Sequence, residues 1–244
     1  MPTAKKLRAV ANRHDEQLFV RRLPCASPLH AIREYEAVKL SSSYPRGAAL
    51  FVEGQTPRGV FFLCEGRAKV SIASPEGKTV VLRIAQPGEL LGVNAAITGR
   101  PYEVTAEAIE HCRVDFVRRK DLLRILDRDK KAYCGVVQAL SNRFSGVVEH
   151  ARVLLLSQSA AEKLARLLIK WCDEVGTWTP QGIRVNPGLT HEEMGQMICT
   201  SRETVTRVLS EFRRRRIVHL TRNSILVRNR RALESVANCW KRPR

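Results

Sequence analysis

Apolar and polar residues follow three successive rhythms along this chain. Between Ser43 and Val117, short apolar runs (Leu50–Val52, Val60–Cys64, Ala68–Ile72, Val80–Ile84, Val114–Val117) are cut by turn signals. Those signals are Pro45-Arg46-Gly47, Glu53-Gly54, Glu65-Gly66, Pro75-Glu76-Gly77 and Pro87-Gly88. Many short strands at close spacing predict an all-β barrel or roll over 41–118. From 119 to 158 the turn signals vanish. Tyr133, Val137, Leu140, Phe144, Val147, Ala151 and Leu154 now step by alternating fours and threes, the spacing of a coiled-coil seam. One domain could use that stripe as ordinary core. Its length, and its place between two other units, favour the seam of a parallel homodimer.

The third rhythm, over 159–244, has the period of short amphipathic helices. Ser159 with Glu162 predicts a capping box and a helix running through Trp171. Trp178-Thr179-Pro180-Gln181-Gly182 reads as a loop or hairpin. Thr190 with Glu193 makes another capping box, and Ser201 can cap a further helix. Ile217–Leu220 and Ile225–Val227, joined by Arg222-Asn223-Ser224, read as a hairpin wing. Ahead of the roll, residues 1 to about 27 form a basic arm, followed by a short helix from Leu29 to Leu40. The arm reads as solvated, with a second DNA-contacting element as the rarer use. The chain thus divides into arm and short helix (1–40), roll (41–118), long helix (119–158) and a C-terminal helical unit with a wing (159–244).

The helix that begins after Ser201 carries the most specific chemistry. Val205, Val208, Leu209 and Phe212 fall at i, i+3, i+4, i+7 and share one arc. Arg202, Glu203, Thr206, Arg207, Ser210, Arg213 and Arg214 occupy the other. The major groove of DNA admits an α-helix, where arginine can make two parallel hydrogen bonds to guanine and a carboxylate accepts from cytosine. Arg202, Glu203 and Arg207 project from the N-terminal half, the part that meets bases in helix-turn-helix docking. Ser201, Thr206, Arg213, Arg214 and Arg215 are candidates for further DNA contacts, the cations at the helix end being suited to phosphates. A solvated amphipathic helix with chance arginines is the plainer reading of the same stretch.

Ser201-Arg202-Glu203-Thr204-Val205-x-Arg207 resembles the recognition helix of the CRP/FNR (catabolite-activator-like) transcription regulators, and Glu193-Met194-Gly195-Gln196 resembles that family's preceding helix. The resemblance implies a cyclic-nucleotide-binding β-roll, a dimerisation helix and a C-terminal winged helix-turn-helix, an α+β architecture. It also implies a homodimer on palindromic double-stranded DNA, with RNA polymerase as a partner, and base reading by Arg202, Glu203 and Arg207. Cys199 departs from the pattern at the turn, where glycine is favoured because a left-handed backbone costs it little.

Composition supports a polyanionic partner. Forty-two Lys and Arg against 24 Asp and Glu leave a net +18. Residues 159–244 carry 17 basic and 8 acidic side chains, so the excess is concentrated on the candidate reader. Seven scattered cysteines without a C-x-x-C argue against a zinc site or disulfide framework and fit a reducing cytoplasm. Only Cys25 lies near the N-terminus, where the resemblance would place the cysteine cluster of an iron–sulfur sensor. The six histidines show no triad or ligand spacing and no phosphate-cradling glycine motif is present, so an enzyme is not expected. No apolar run reaches membrane-spanning length and no secretory signal is visible.

The roll offers a candidate effector pocket at Gly88, Glu89, Leu90, Arg100, Tyr102 and Glu103. The resemblance matches Glu89 to the glutamate that holds the ribose hydroxyl of cAMP. It puts Tyr102 and Glu103, or at best a displaced Arg100, where an Arg-Ser/Thr pair would grip the cyclic phosphate. Glu103 beside a buried phosphate is costly without a paired cation, so cAMP is not the expected ligand. An empty roll kept as scaffold and a roll for another small-molecule effector both remain open. The rival to a DNA-binding regulator is a cyclic-nucleotide-binding regulatory subunit acting without DNA, which would leave Arg202, Glu203 and Arg207 on one face without a use.

Overall fold

The computed structural model describes residues 33–221 and 224–237. The basic arm, Cys25, Cys239, the start of the expected first helix and the wing tip at Arg222-Asn223 lie outside the described residues. Helix α1 (Arg33–Val38) ends before Leu40, which opens β1 (Leu40–Tyr44) instead of closing the helix. Then follow β2 (Ala49–Phe51), β3 (Gly59–Glu65), β4 (Ala68–Ala73), β5 (Thr79–Ala85), β6 (Leu90–Leu91), α2 (Val93–Thr98), β7 (Thr105–Ala108) and β8 (Cys112–Arg118). They form two antiparallel four-stranded sheets, ordered β1-β8-β3-β6 and β2-β7-β4-β5.

Strand β3 shows why its run is continuously apolar. Phe61 and Leu63 point into the space between the sheets, while Val60, Phe62 and Cys64 pack under the helices on the other face. A strand covered on both faces loses the polar alternation of a half-exposed one. Asp115 on β8 is fully buried on the helix side, where it accepts from Ser41 Oγ at 2.6 Å and Tyr35 Oη at 3.3 Å and faces Lys39 Nζ at 3.4 Å. That network ties α1 to the roll.

The expected single helical tract over 119–158 is two helices, α3 (Arg119–Arg128) and α4 (Lys130–Leu156). The break is Asp129, whose extended backbone ends one helix while its side chain accepts from Ala132 N at 2.9 Å and caps the next. Along α4, Val137, Phe144 and Val147 are exposed in the single chain, and Leu140, Ala151 and Leu154 are half-buried. Leu140 packs against the roll's helix-side cluster.

The C-terminal unit contains α5 (Ala160–Val175), β9 (Thr177–Thr179), β10 (Gly182–Val185), α6 (His191–Met197), α7 (Arg202–Arg214), β11 (Val218–Leu220), β12 (Ile225–Val227) and α8 (Arg230–Ala237). Its sheet is ordered β11-β12-β10-β9, so the Trp178 segment is a hairpin strand beside the wing. Ser159 caps α5 through Glu162 N, but the Glu162 carboxylate accepts from Gln158 N and Arg166 Nη2 rather than from the Ser159 backbone, so the expected reciprocal box is only half made.

Candidate nucleic-acid interface

The helix pair is assembled by local rules. Thr190 Oγ1 accepts from Glu193 N at 3.1 Å, and the Glu193 carboxylate accepts from Thr190 N at 2.9 Å, closing the N-terminus of α6. Gly195 sits where the chain returns between the helices. A Cβ there would lie 2.6 Å from Thr200 O, so the close crossing requires its absence. Cys199 follows with φ of 52°, the left-handed backbone that its place in the turn predicts. For a residue with a Cβ this costs roughly 1–2 kcal/mol. Ser201 Oγ accepts from Thr204 N at 3.2 Å and starts α7.

Val205, Val208, Leu209 and Phe212 are buried, packed with Met194, Ile198, Leu164, Leu168 and Trp171 among others. With that face fixed, Arg202, Glu203 and Arg207 are exposed together on the opposite side. The Glu203 carboxyl is held below its usual value by its own backbone N–H and then by Ser201, which favours the ionised, accepting form. Thr206 is already engaged, its hydroxyl donating to Arg202 O at 2.9 Å and lying 2.9 Å from His191 Nδ1. Ser201 is likewise used as a cap. At the end of the helix Arg214 pairs with Glu211, while Arg213 and Arg215 are exposed. Arg216 turns the chain with φ of 56° into the wing.

The six candidate effector residues each have their own local setting. Gly88 turns the chain with φ of 95°, and Leu90 is buried toward the helices. Glu89 pairs with Arg83 Nη1 and accepts from Gln86 N at 2.9 Å. Tyr102 is buried on the other side, stacked on Phe51 at 4.2 Å with its hydroxyl donating to Gly59 O at 2.8 Å. It fills the space a Cβ on Gly92 would need. Glu103 accepts from Asn94 Nδ2 at 2.7 Å, and Arg100 lies exposed. A cavity of about 610 Å³ does open in the roll, lined by Leu50, Phe51, Phe61, Phe116 and Arg58, but of the six only Tyr102 reaches it.

Sequence reasoning missed Arg83 as the partner of Glu89 and Asn94 as the partner of Glu103. It also missed Arg143 on α4, whose guanidinium is brought down to about 10 by burial and by the nearby Arg83, against the pull of Glu89. None carries a motif. Among the described residues no group of His, Cys, Asp or Glu could hold a metal ion, and no helix is long and apolar enough to cross a membrane.

Comparison with known proteins follows the same division. A family profile described as a cyclic nucleotide-binding domain matches residues 41–129, and one described as a Crp-like helix-turn-helix domain matches residues 162–236. The chain is 27% identical over 186 residues to a CRP-like cAMP-activated global transcriptional regulator of Mycobacterium tuberculosis, covering 75% of this chain and 82% of that protein. It is 25% identical over 203 residues to a global nitrogen regulator of Synechocystis, covering 78% and 85%. Among solved structures, a CRP-family transcriptional regulator of Thermus thermophilus superposes with a TM-score of 0.69 at 25% identity, over 81% of this chain and 96% of that one.

Proposed function

The chain belongs to the CRP/FNR family of transcription regulators, and from that premise we infer that it binds a palindromic operator as a parallel homodimer. The observation that carries the reading is the division of α7, with Val205, Val208, Leu209 and Phe212 in the core and Arg202, Glu203 and Arg207 exposed on one face. Arg202 and Arg207 meet guanine edges and Glu203 accepts from cytosine. Arg213 and Arg215 contact phosphates, and so does Arg214 once it exchanges Glu211 for the backbone. Ser201 and Thr206 contribute by shaping and orienting the helix, since their hydroxyls are already used within the protein.

The exposed stripe on α4 supports the dimer. Val137, Phe144 and Val147 stand in line with half-buried Leu140, Ala151 and Leu154, and a second copy covers that stripe. RNA polymerase, met in the cytoplasm, is the partner through which the bound dimer acts. The roll is a divergent effector domain not built for cAMP, because Glu89 is engaged by Arg83 and Gln86, and Glu103, engaged by Asn94, would set a carboxylate against the cyclic phosphate.

Replacing Arg207 by Ala tests the base-reading role. Operator affinity should fall by about 1–3 kcal/mol, with specificity relaxed at one G·C pair per half-site. Arg215→Ala should instead weaken specific and random duplex alike. Equal loss on both duplexes for Arg207→Ala would contradict the assignment.

A further inference from the structure

The roll and the reader touch beyond the chain that joins them. Strand β4 turns Ala68 and Val70 into the roll, and Lys69, with Arg67 just ahead of the strand, reaches across to the C-terminal unit. There the Lys69 ammonium lies 2.9 Å from Glu107 Oε1 of the roll and 3.1 Å from Glu193 Oε1 of the reader. Lys69 and Glu193 are 17% and 16% exposed in their side chains, so water screens the contact far less than it would a surface pair. Arg67 makes a second tie, gripping the Glu110 carboxylate through Nε and Nη2 while Nη1 donates to Asn186 O at 2.8 Å, just ahead of α6. Beneath these charges lies an apolar footing. Val81 of β5 is fully buried within the reader's own hydrophobic cluster, and Ile84, directly across from Lys69 in the sheet register, packs against the same cluster.

The Glu193 carboxylate has two tasks at once. One oxygen closes the N-terminus of α6 by accepting from Thr190, and the other takes the roll's ammonium. The first helix of the reading pair is thereby fixed to the roll through the carboxylate that caps it, and α7 follows because its core face packs on α6. The docked arrangement leaves Arg202, Glu203 and Arg207 exposed, so the roll orients the reading helix without covering it.

We propose that Lys69 is a positioning residue for DNA recognition, holding the reader against the roll through Glu193 in the orientation that two recognition helices need to meet one operator. This rests on the DNA-reading assignment above. With that tie cut, the reader is held to the roll only by Arg67 and the Val81 and Ile84 footing and samples a wider range of orientations, so the dimer loses the fixed spacing between its two helices. Random duplex demands no such spacing, so the loss should fall on the specific complex.

The test is equilibrium titration of full-length Lys69→Met, Lys69→Arg, Glu193→Gln and the Lys69→Met/Glu193→Gln double variant against an operator and a random duplex. Met keeps the apolar stem, and Gln keeps an oxygen for the Thr190 cap. Lys69→Met should lose about fivefold or more in operator affinity with random-duplex affinity nearly unchanged, and Lys69→Arg should restore most of it. The double variant should be no weaker than the weaker single one, because both remove the same contact. Hydrogen exchange on the same samples should rise together in β5 and at the start of α6, with α2 unchanged. Unchanged operator affinity, additive losses or a gain in affinity for a folded Lys69→Met chain would each overturn the proposal. Wild-type protein that does not distinguish operator from random duplex overturns the DNA reading itself. In that case the exchange data show separately whether Lys69 holds the two units together.

Discussion

Single residues divide by how far away their partners lie. Thr190 with Glu193, Ser201 with Thr204 and Cys199 at the turn act within one or two helical turns of sequence, and all were legible. Asp115 was not. Its donors Tyr35 and Ser41 stand 80 and 74 positions away and nothing local announces them. Burial pushes the Asp115 carboxyl up, but donation from Ser41 and Cys64 and the Lys39 charge override it and leave it below its ordinary value. Such a carboxylate contributes stability that is fully present above its unfolded value, about 3.9, and is lost as pH falls through the lower folded one. Replacing Asp115 by Asn should therefore destabilise the roll by about 1–3 kcal/mol at neutral pH, since Tyr35 and Ser41 lose a charged acceptor while Lys39 keeps its pairing with Glu36. Denaturant unfolding should show that difference shrinking below about pH 4. A difference independent of pH would contradict the account.

Among the elements, period and punctuation located β2, β3, β4, β5 and β8, the wing and the helix pair, but gave no signal for β1, β6 or β7, and they failed where an element ends for a reason of charge. Asp129 sits inside Asp127-Arg128-Asp129-Lys130-Lys131, a charged run without a Gly or Pro to mark a break. Only the structure shows its carboxylate capping α4. The stripe on α4 was legible as a heptad spacing, and in the single chain Val137, Phe144 and Val147 of that stripe stand exposed. Phe144 is 71% exposed in one chain, so Phe144→Asp should leave the protomer folded. In a dimer it would bury two like charges face to face. Sedimentation should return monomers with an unchanged far-ultraviolet spectrum. A Phe144→Asp dimer would place the interface elsewhere.

For the whole molecule, the order of roll, long helix and helix-turn-helix unit was readable from the three rhythms, whereas the docking of the last on the roll was not. Lys69 and Glu193 are 124 positions apart, and a lysine in a strand carries no sequence signal of its partner. Ligand response also belongs to this scale. A full two-state switch needs about 5.5 kcal/mol of preference for one conformation, and a ribose hydrogen bond supplies about 0.5–1.5 kcal/mol net. Glu89 is already held by Arg83 and Gln86, and Asn94 holds Glu103. Physiological cAMP should therefore change operator affinity less than about threefold. A gain of about tenfold or more in a titration against labelled operator would contradict this.

The central claim is that two copies of α7, set by one parallel dimer, read one face of a duplex. Such a protein must select inverted half-sites with centres about one helical turn, ~34 Å, apart. Selection of bound duplexes from a random pool by the full-length chain measures this directly. The account predicts a palindrome whose halves carry a TGTGA-like core, the sequence that the resemblance of Arg202, Glu203 and Arg207 implies. A single unpaired half-site, or no enriched sequence at all, would contradict it.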